Sequence, residues 1–192
     1  MIVDVVQESQ PDLAEYAGVP IEFEVTEIVE TAVDPTQPDR FALTPRPVAV
    51  PWMKNYDALD GGPRRWPARF DLSHWTFLAA HAASRRVGGA VVVMRAPDVE
   101  MLHGRDDLAV LWDIRVVPGE RGGGIGTALL RAAEAWAIAN GARWLEAETQ
   151  DVNAAACRFY SRRGFVLRTA NPAAYPDLPN ETQLLWYKEL GG

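Results

Sequence analysis

Residues 108–127 read LAVLWDIRVVPGERGGGIGT, an apolar segment followed by a glycine-rich one. The apolar part, within Asp107–Val117, predicts a strand buried on both faces, as at the centre of a sheet. Gly124–Asn140 is predicted to be a helix that Gly141 ends, because apolar residues recur there in steps of four and three. These residues are Ile125, Leu129, Ala132, Trp136 and Ala139. The glycine-rich turn therefore joins a buried strand to the start of a helix.

This turn, Arg121–Thr127, has the composition of an anion-binding site. It consists of Arg121, Gly122, Gly123, Gly124, Ile125, Gly126 and Thr127. Glycines allow a backbone to approach a ligand closely, and the first N–H groups of a helix, together with its dipole, attract anions. Arg121 adds a positive charge. The turn therefore predicts a phosphate or pyrophosphate ligand, and the alternative is a tight turn with a purely structural role.

Two common phosphate-binding motifs do not fit this turn. A P-loop needs a Gly-Lys-Ser/Thr sequence, and the turn contains no lysine. A Rossmann fingerprint needs G-x-G-x-x-G, but its sixth position is Thr127 when counted from Gly122 and Leu129 when counted from Gly124. The turn therefore disfavours an ATPase, a GTPase and a dinucleotide-binding enzyme.

The segments around this turn predict a mixture of strands and helices. The expected strands are 74–82, 87–94, 142–149, 165–168 and 183–190, and the second expected helix is 153–163. Strand, helix, strand, helix and strand in this order favour an α+β or α/β sandwich with a mixed sheet.

The N-terminal third is predicted to be rich in strands. Ile2–Glu8 is an expected strand and Gln10–Gly18 an expected helix. Ile21–Thr26 alternates apolar and polar residues and forms a predicted hairpin with Phe41–Val50 across a break at 34–40. The prolines of the second arm predict an edge strand or an extended loop. Pro51–Asp71 is expected to be a long loop, and loops of this length are often functional.

Composition limits the classes of protein to consider. The 192 residues carry 19 Lys+Arg and 26 Asp+Glu, a net charge of −7, with 48% hydrophobic residues. These values are typical of a globular protein, and the negative charge argues against a nucleic-acid binder. It favours a cationic or neutral small substrate.

The sequence also predicts neither a metal site nor a membrane segment. Cys157 is the single cysteine and the three histidines lack metal-binding spacing. The strongly apolar stretch around Ala90–Met94 is too short to span a bilayer. The N-terminal residues MIVDVVQESQ lack a basic region, which favours a cytoplasmic location.

The motifs together resemble those of the GNAT superfamily of N-acetyltransferases, which use acetyl-CoA. The resemblance covers roughly residues 72–190 and includes the strand 111–118, the turn and the helix 153–163. Within the superfamily, residues 148–160 (ETQDVNAAACRFY) and the tail from Ala174-Tyr175 to Leu185-Trp186-Tyr187 are similar to the streptothricin acetyltransferases. Phe41–Tyr56 is similar to them more loosely.

The resemblance implies a single acetyltransferase domain over residues 1–192. In it, 1–71 forms a hairpin and loop region that shapes the acceptor pocket, and 72–190 forms the cofactor-binding core. The implied fold is an α+β sandwich, with a mixed, mainly antiparallel sheet flanked by helices. Its central strands are expected to splay around the acetyl-CoA site.

The resemblance also assigns roles to individual residues. The implied acetyl-CoA-binding residues are Ile114, Arg115, Val116, Arg121, Gly122, Gly123, Gly124, Ile125, Gly126, Thr127, Asn153, Ala156 and Tyr160. Tyr160 is also implied as the proton donor to the departing thiolate, with Asp113 and Glu148 as candidate bases. The implied substrate-binding residues are Trp112, Asp113, Glu148 and Tyr175. No metal is implied.

Each of these roles has a structural alternative. Asn153 is a good helix N-cap, and Tyr160 could be an ordinary packed tyrosine beside Phe159. Asp113 and Glu148 could form salt bridges or attract a cationic substrate without moving a proton. Trp112 departs from the streptothricin pattern, which has a second acidic residue there, and so removes one negative charge.

Three functions are compatible with these residues. The first is acetyl-CoA-dependent acetylation of a primary amine on a small cationic substrate, such as a streptothricin-type antibiotic. The second is acetylation of a peptide or protein amine or of a polyamine, and the third is a non-catalytic acyl-CoA-binding module. Exposed edge strands would also allow a homodimer.

Overall fold

The computed structural model describes residues 3–191, so Ile2, the first residue of the expected N-terminal strand, lies outside the described residues. The strands are β1 (Asp4–Glu8), β2 (Phe23–Asp34), β3 (Gln37–Lys54), β4 (Trp75–Ala82), β5 (Arg85–Val93), β6 (Leu108–Val116), β7 (Trp144–Gln150), β8 (Val166–Asn171) and β9 (Gln183–Glu189). The helices are α1 (Leu13–Ala17), α2 (Asp57–Asp60), α3 (Ile125–Ala139) and α4 (Ala154–Ser161). Short 3₁₀ helices occupy Gly62–Ala68, Leu72–His74, Glu100–Leu102 and Pro118–Glu120.

The chain forms two compact units. The first contains the residues up to Phe23, Asn55–Leu145 and the residues from Leu190 onward. The second contains Glu24–Lys54 and Glu146–Glu189. Each unit thus combines segments that are distant in the sequence, a division that the sequence did not predict.

The first unit is built on four antiparallel strands in the order β1-β4-β5-β6. Their central residues are buried, as the unbroken apolar runs of β5 and β6 predict. Two adjacent glycines of β5 let neighbouring elements approach opposite faces. A Cβ on Gly88 would lie 3.1 Å from the Leu129 side chain of α3, and one on Gly89 would lie 2.5 Å from the Tyr16 ring.

Helix α3 packs on this sheet through a different face from the one the sequence suggested. The buried residues are Ile125, Leu129, Leu130, Ala133 and Ala137. Trp136 is half-buried and Ala139 is exposed. The small Ala133 and Ala137 allow this part of the helix to lie close to the strands, and the bulky Trp136 lies at its margin.

The second unit contains the strands in the order β7-β9-β8 and a separate two-stranded ladder of β2 and β3. The expected break at 34–40 shortens to residues 35 and 36, and β3 continues through its prolines to Lys54. A two-stranded ladder leaves each strand with a free edge, so prolines in β3 are tolerated. Strands β8 and β9 pair antiparallel, with a register shift between Leu167 and Thr169.

The expectation of a loop over Pro51–Asp71 is wrong in its detail. Residues 51–54 complete β3, and the rest forms α2 and the 3₁₀ helix Gly62–Ala68. Gly61 and Gly62 have φ values of 85° and 58°, so α2 ends and the 3₁₀ helix begins at glycines that adopt the left-handed region. Trp66 is buried against Tyr16 and Trp75, which explains why the segment is ordered.

Candidate active site

The glycine-rich turn of the first unit presents bare backbone. Gly122 and Gly124 have φ values of 82° and 93°, which residues with a Cβ rarely adopt. Gly124 is the N-cap of α3 and makes no side-chain cap hydrogen bond, and a Cβ at either glycine would meet nothing within 4 Å. Residues 121–124 are exposed and no side chain caps the helix, so an anion can approach the start of α3.

Arg121 anchors this turn through hydrogen bonds to two backbone carbonyls. Its Nε donates a hydrogen bond to the Val116 carbonyl at 3.0 Å, and its Nη2 donates one to the Pro20 carbonyl at 3.1 Å. Partial burial lowers the pKa of Arg121, and the Glu22 carboxylate opposes this effect. The guanidinium thus fixes the turn to the end of β6 while it keeps a positive charge beside the helix start.

A buried charged cluster lies on β6, just before the turn. Asp113 accepts hydrogen bonds from Tyr16 Oη at 2.7 Å, Arg115 Nε at 2.9 Å and Arg115 Nη2 at 2.6 Å. Arg115 also donates to both Asp57 carboxylate oxygens, at 2.9 and 3.2 Å, and to the Val19 carbonyl at 3.2 Å. The side chains of Arg115 and Asp113 are only 1% and 7% exposed.

The protonation states of this cluster follow from its partners. Burial alone would lower the pKa of Arg115, but hydrogen bonds with Asp113 and Asp57 outweigh it and raise the pKa. Burial, followed by the charge of Asp113, raises the pKa of Tyr16 well above its ordinary value. Arg115 is therefore charged and Tyr16 neutral, and the salt-bridge alternative for Asp113 is present in the structure. Its catalytic role stays a prediction.

Trp112 occupies an irregular position on β6. Val91 pairs with Asp113 but Val92 pairs with Leu111, so Trp112 is an extra residue between them, as in a β-bulge. Its ring lies 4.9 Å from the Trp75 ring and 5.1 Å from the Phe70 ring. Trp112 is half-buried, so part of the aromatic surface remains available.

In the second unit, Glu148 and Tyr175 are in direct contact. Tyr175 Oη donates to Glu148 Oε1 at 2.6 Å and accepts from Gln150 Nε2 at 2.9 Å. Gln183 Nε2 donates to Glu148 Oε2 at 2.7 Å. The structure thus brings the two predicted residues together and adds two glutamines that the sequence reading missed. Gln150 lies two residues after Glu148 on one strand, a spacing that could have identified it.

Helix α4 carries the other predicted residues of this unit. Asn153 Oδ1 accepts a hydrogen bond from the Ala156 N–H at 3.1 Å, so it caps the helix. Tyr160 is buried with its ring 5.0 Å from Phe165 and 6.4 Å from Trp186, while its neighbour Phe159 is half-buried. The cofactor-binding roles of Asn153 and Ala156 and the proton-donor role of Tyr160 stay predictions.

Cys157, on the same helix, is shielded from solvent. Its side chain is buried and lies 3.6 Å from Thr149 Oγ1. Burial raises the pKa of the thiol to about 11, so the thiol is protonated at neutral pH. Cys157 is therefore a small buried packing residue and not an activated nucleophile.

The described residues 3–191 contain neither a metal-binding cluster nor a membrane-spanning helix. No group of three or more His, Cys, Asp or Glu side chains in them is placed to hold a metal ion. None of the helices formed by these residues has the length and apolar character needed to cross a bilayer.

The comparisons with known proteins identify the family. The sequence model of the acetyltransferase (GNAT) family matches residues 48–165, more than half of the chain. Streptothricin acetyltransferase of Streptomyces lavendulae is 31% identical over 158 residues, which cover 79% of this chain and 77% of that protein. This chain belongs to the acetyltransferase (GNAT) family.

A second sequence relative and two solved structures are also similar to this chain. Streptothricin acetyltransferase A of Bacillus subtilis (strain 168) is 40% identical over 81 residues, covering 41% of this chain and 47%, about half, of that protein. Nourseothricin acetyltransferase has a TM-score of 0.75 at 22% identity, covering 98% of this chain and 99% of that one.

A Bacillus anthracis str. Ames protein assigned as a streptothricin acetyltransferase, solved in complex with acetyl coenzyme A, has a TM-score of 0.80 at 21% identity. That match covers 98% of this chain and 100% of that one. These structures confirm the expected mixed α+β fold of GNAT acetyltransferases.

The charged cluster predicts a large effect of Arg115 on stability. We expect Arg115→Met to lower the free energy of unfolding by about 3–5 kcal/mol, because it leaves the buried Asp113 and its partner Asp57 without their cation. Urea titration measures the free energy of unfolding of each variant. Arg46→Met is the control, since the Arg46 and Glu30 side chains are 59% and 56% exposed, and it should cost below about 1 kcal/mol. Equal effects of the two substitutions would show that the buried pair adds no special stability.

Proposed function

We propose that this protein is an acetyl-CoA-dependent N-acetyltransferase that acetylates a primary amine of a small cationic molecule of the streptothricin type. The observation that carries the proposal is the open glycine turn at the start of α3, in a chain that belongs to the GNAT family. The acceptor class is supported by the two relatives that are named streptothricin acetyltransferases.

The turn fits the diphosphate of coenzyme A. Its residues 121–124 are exposed, and side chains at Gly122 or Gly124 would both strain the backbone and occupy the open space beside it. We assign the diphosphate to the backbone of 121–127, with Arg121 nearby. The backbone of Ile114, Arg115 and Val116 pairs with the pantetheine arm in the manner of an added strand. Asn153 and Ala156 at the start of α4 are the further proposed contacts.

Acetyl-CoA, when bound, supplies a thioester carbonyl that a neutral amine can attack. A lysine-like amine with a pKa of about 10.4 is almost entirely protonated at neutral pH, and deprotonating it costs about 4–5 kcal/mol. A carboxylate must therefore accept a proton, directly or through water. A backbone N–H near Val116 would stabilise the oxyanion.

The two candidate carboxylates differ in their electrostatic surroundings. Asp113 is ion-paired with Arg115 and already accepts three hydrogen bonds. Glu148 accepts from a tyrosine hydroxyl and a glutamine amide, both neutral. We therefore assign the amine and its proton to Glu148, with Tyr175 as a neighbouring contact. Asp113 remains a predicted site residue whose visible role is to hold Arg115.

The function is tested with purified protein, acetyl-CoA, streptothricin and a panel of other amines. We expect release of free thiol and a mass increase of one acetyl group on streptothricin. Because Cys157 is buried with its pKa raised to about 11, it should add little background to the thiol signal. Acetylation of peptides or polyamines in preference to streptothricin would change the acceptor, and acetyl-CoA binding without any transfer would overturn the enzymatic proposal.

The glycine turn predicts a selective loss of cosubstrate affinity. We expect Gly124→Ala to weaken coenzyme A binding by about tenfold or more, because a Cβ both strains this position and enters the space of the diphosphate. Calorimetry measures the affinity. Gly104→Ala is the matched control: Gly104 also has a positive φ, 67°, with nothing within 4 Å of its Cβ position. If both variants lose affinity equally, the turn is not the binding site.

The proposed role of Tyr160 as proton donor to the departing thiolate predicts that its substitution lowers turnover. We expect Tyr160→Phe to lower kcat by about 10²-fold or more, the range for a general acid, with an almost unchanged affinity for acetyl-CoA. The buried ring keeps its packing against Phe165 and Trp186, so the fold should be preserved. Phe159→Leu on the same helix is the control. An equal loss of affinity and turnover in Tyr160→Phe would contradict a proton-donor role.

A further inference from the structure

Glu148 lies at the centre of a chain of hydrogen-bonded side chains in the second unit. Each of its carboxylate oxygens accepts from a different donor: Oε1 from Tyr175 Oη at 2.6 Å and Oε2 from Gln183 Nε2 at 2.7 Å. Gln150 Nε2 donates to Tyr175 Oη at 2.9 Å. The orientation of the carboxylate is thus fixed from two sides, by residues of β9 and of the segment between β8 and β9.

The donors around Glu148 are all neutral, which distinguishes it from its neighbours. Within residues 3–191, Glu148 has no ion-pair partner. Three other glutamates of the second unit are paired with a cation: Glu27 with Arg158, Glu30 with Arg46 and Glu181 with Lys54. An amide orients a carboxylate without cancelling its charge, whereas lysine or arginine would cancel it.

Glu148 also keeps the capacity to bind another donor. A carboxylate has about four lone-pair directions, and the two donors use one on each oxygen. The side chain is half-buried, so solvent or a ligand can reach it. A half-buried negative charge in this state favours a cation that can donate hydrogen bonds, and a protonated primary amine has three such donors.

We infer that Gln183 and Gln150 are positioning residues that hold Glu148 and Tyr175 as a subsite for a protonated amine. Gln183 fixes the carboxylate directly, and Gln150 acts through Tyr175. This inference rests on the proposed function, and it adds two residues and a reason for the selection of a cationic acceptor. Their shared property is that they donate hydrogen bonds without adding charge.

Two substitutions at Gln183 separate charge from hydrogen bonding. Gln183→Lys places a cation beside Glu148, and we expect it to raise the Kd for streptothricin by about tenfold or more. Gln183→Met removes the donor without adding charge, and we expect a change of about two- to threefold. Gln7→Lys on the exposed face of β1 makes the same change of net charge elsewhere and should leave the Kd unaltered.

Calorimetry with streptothricin as the probe does not depend on turnover. Thermal unfolding of each variant establishes that it is folded, and the affinity for coenzyme A should be the same in all of them. The steady-state KM for streptothricin should follow the Kd, with the KM for acetyl-CoA unchanged.

Three results would overturn the inference. They are failure of the wild-type protein to bind streptothricin, a Gln183→Lys variant with wild-type affinity, and equal losses in Gln183→Lys and Gln183→Met. The proposed function is refuted by a different result. Wild-type protein that binds streptothricin with the expected pattern of variants but never acetylates it would refute the enzymatic activity and leave the amine subsite standing.

Discussion

The guanidinium of Arg115 connects three segments of the first unit. It bonds to Asp113 on its own strand, to Asp57 on α2 and to the Val19 carbonyl after α1. With its side chain 1% exposed, it must be fully paired, because an unpaired buried charge would be far less stable. The packing of α1 and α2 on β6 therefore depends on this one side chain, and so does the geometry of the strand that leads into the glycine turn.

The same interaction gives the two candidate carboxylates different electrostatic surroundings. An arginine beside a carboxylate anchors it structurally, because the guanidinium balances its charge and occupies its lone pairs. Asp113 is in that state, and Glu148 is held only by neutral donors. Sequence alone gave both residues equal standing, since each is an acid on a strand next to a predicted site.

The local features were the ones the sequence could predict. The order of strands and helices from residue 74 onward, the N-cap at Asn153 and the helix that follows the turn depend on short-range patterns of apolar residues, glycines and caps. The contacts of Tyr16, Asp57 and Gln183 could not be predicted, because each joins residues far apart in sequence. The Tyr16–Asp113 bond spans 97 positions and the Arg115–Asp57 pair 58. The helical segment after Asn55 was missed because its glycines and prolines also suit a loop.

Trp112 shows how one substitution and one backbone irregularity act together. The streptothricin pattern that the sequence resembles has an acid at this place, where this chain has a tryptophan. In the structure, Trp112 is the extra residue of the β6 irregularity, and its ring packs on Trp75 and Phe70. A carboxylate there would lie against aromatic rings, where an ionised group is poorly solvated. The tryptophan is consistent with its surroundings, and it leaves the negative charge of β6 to Asp113, whose charge Arg115 already balances. In the proposed function, the charge that attracts a cationic acceptor is therefore assigned to Glu148, whose donors are neutral, and not to Asp113.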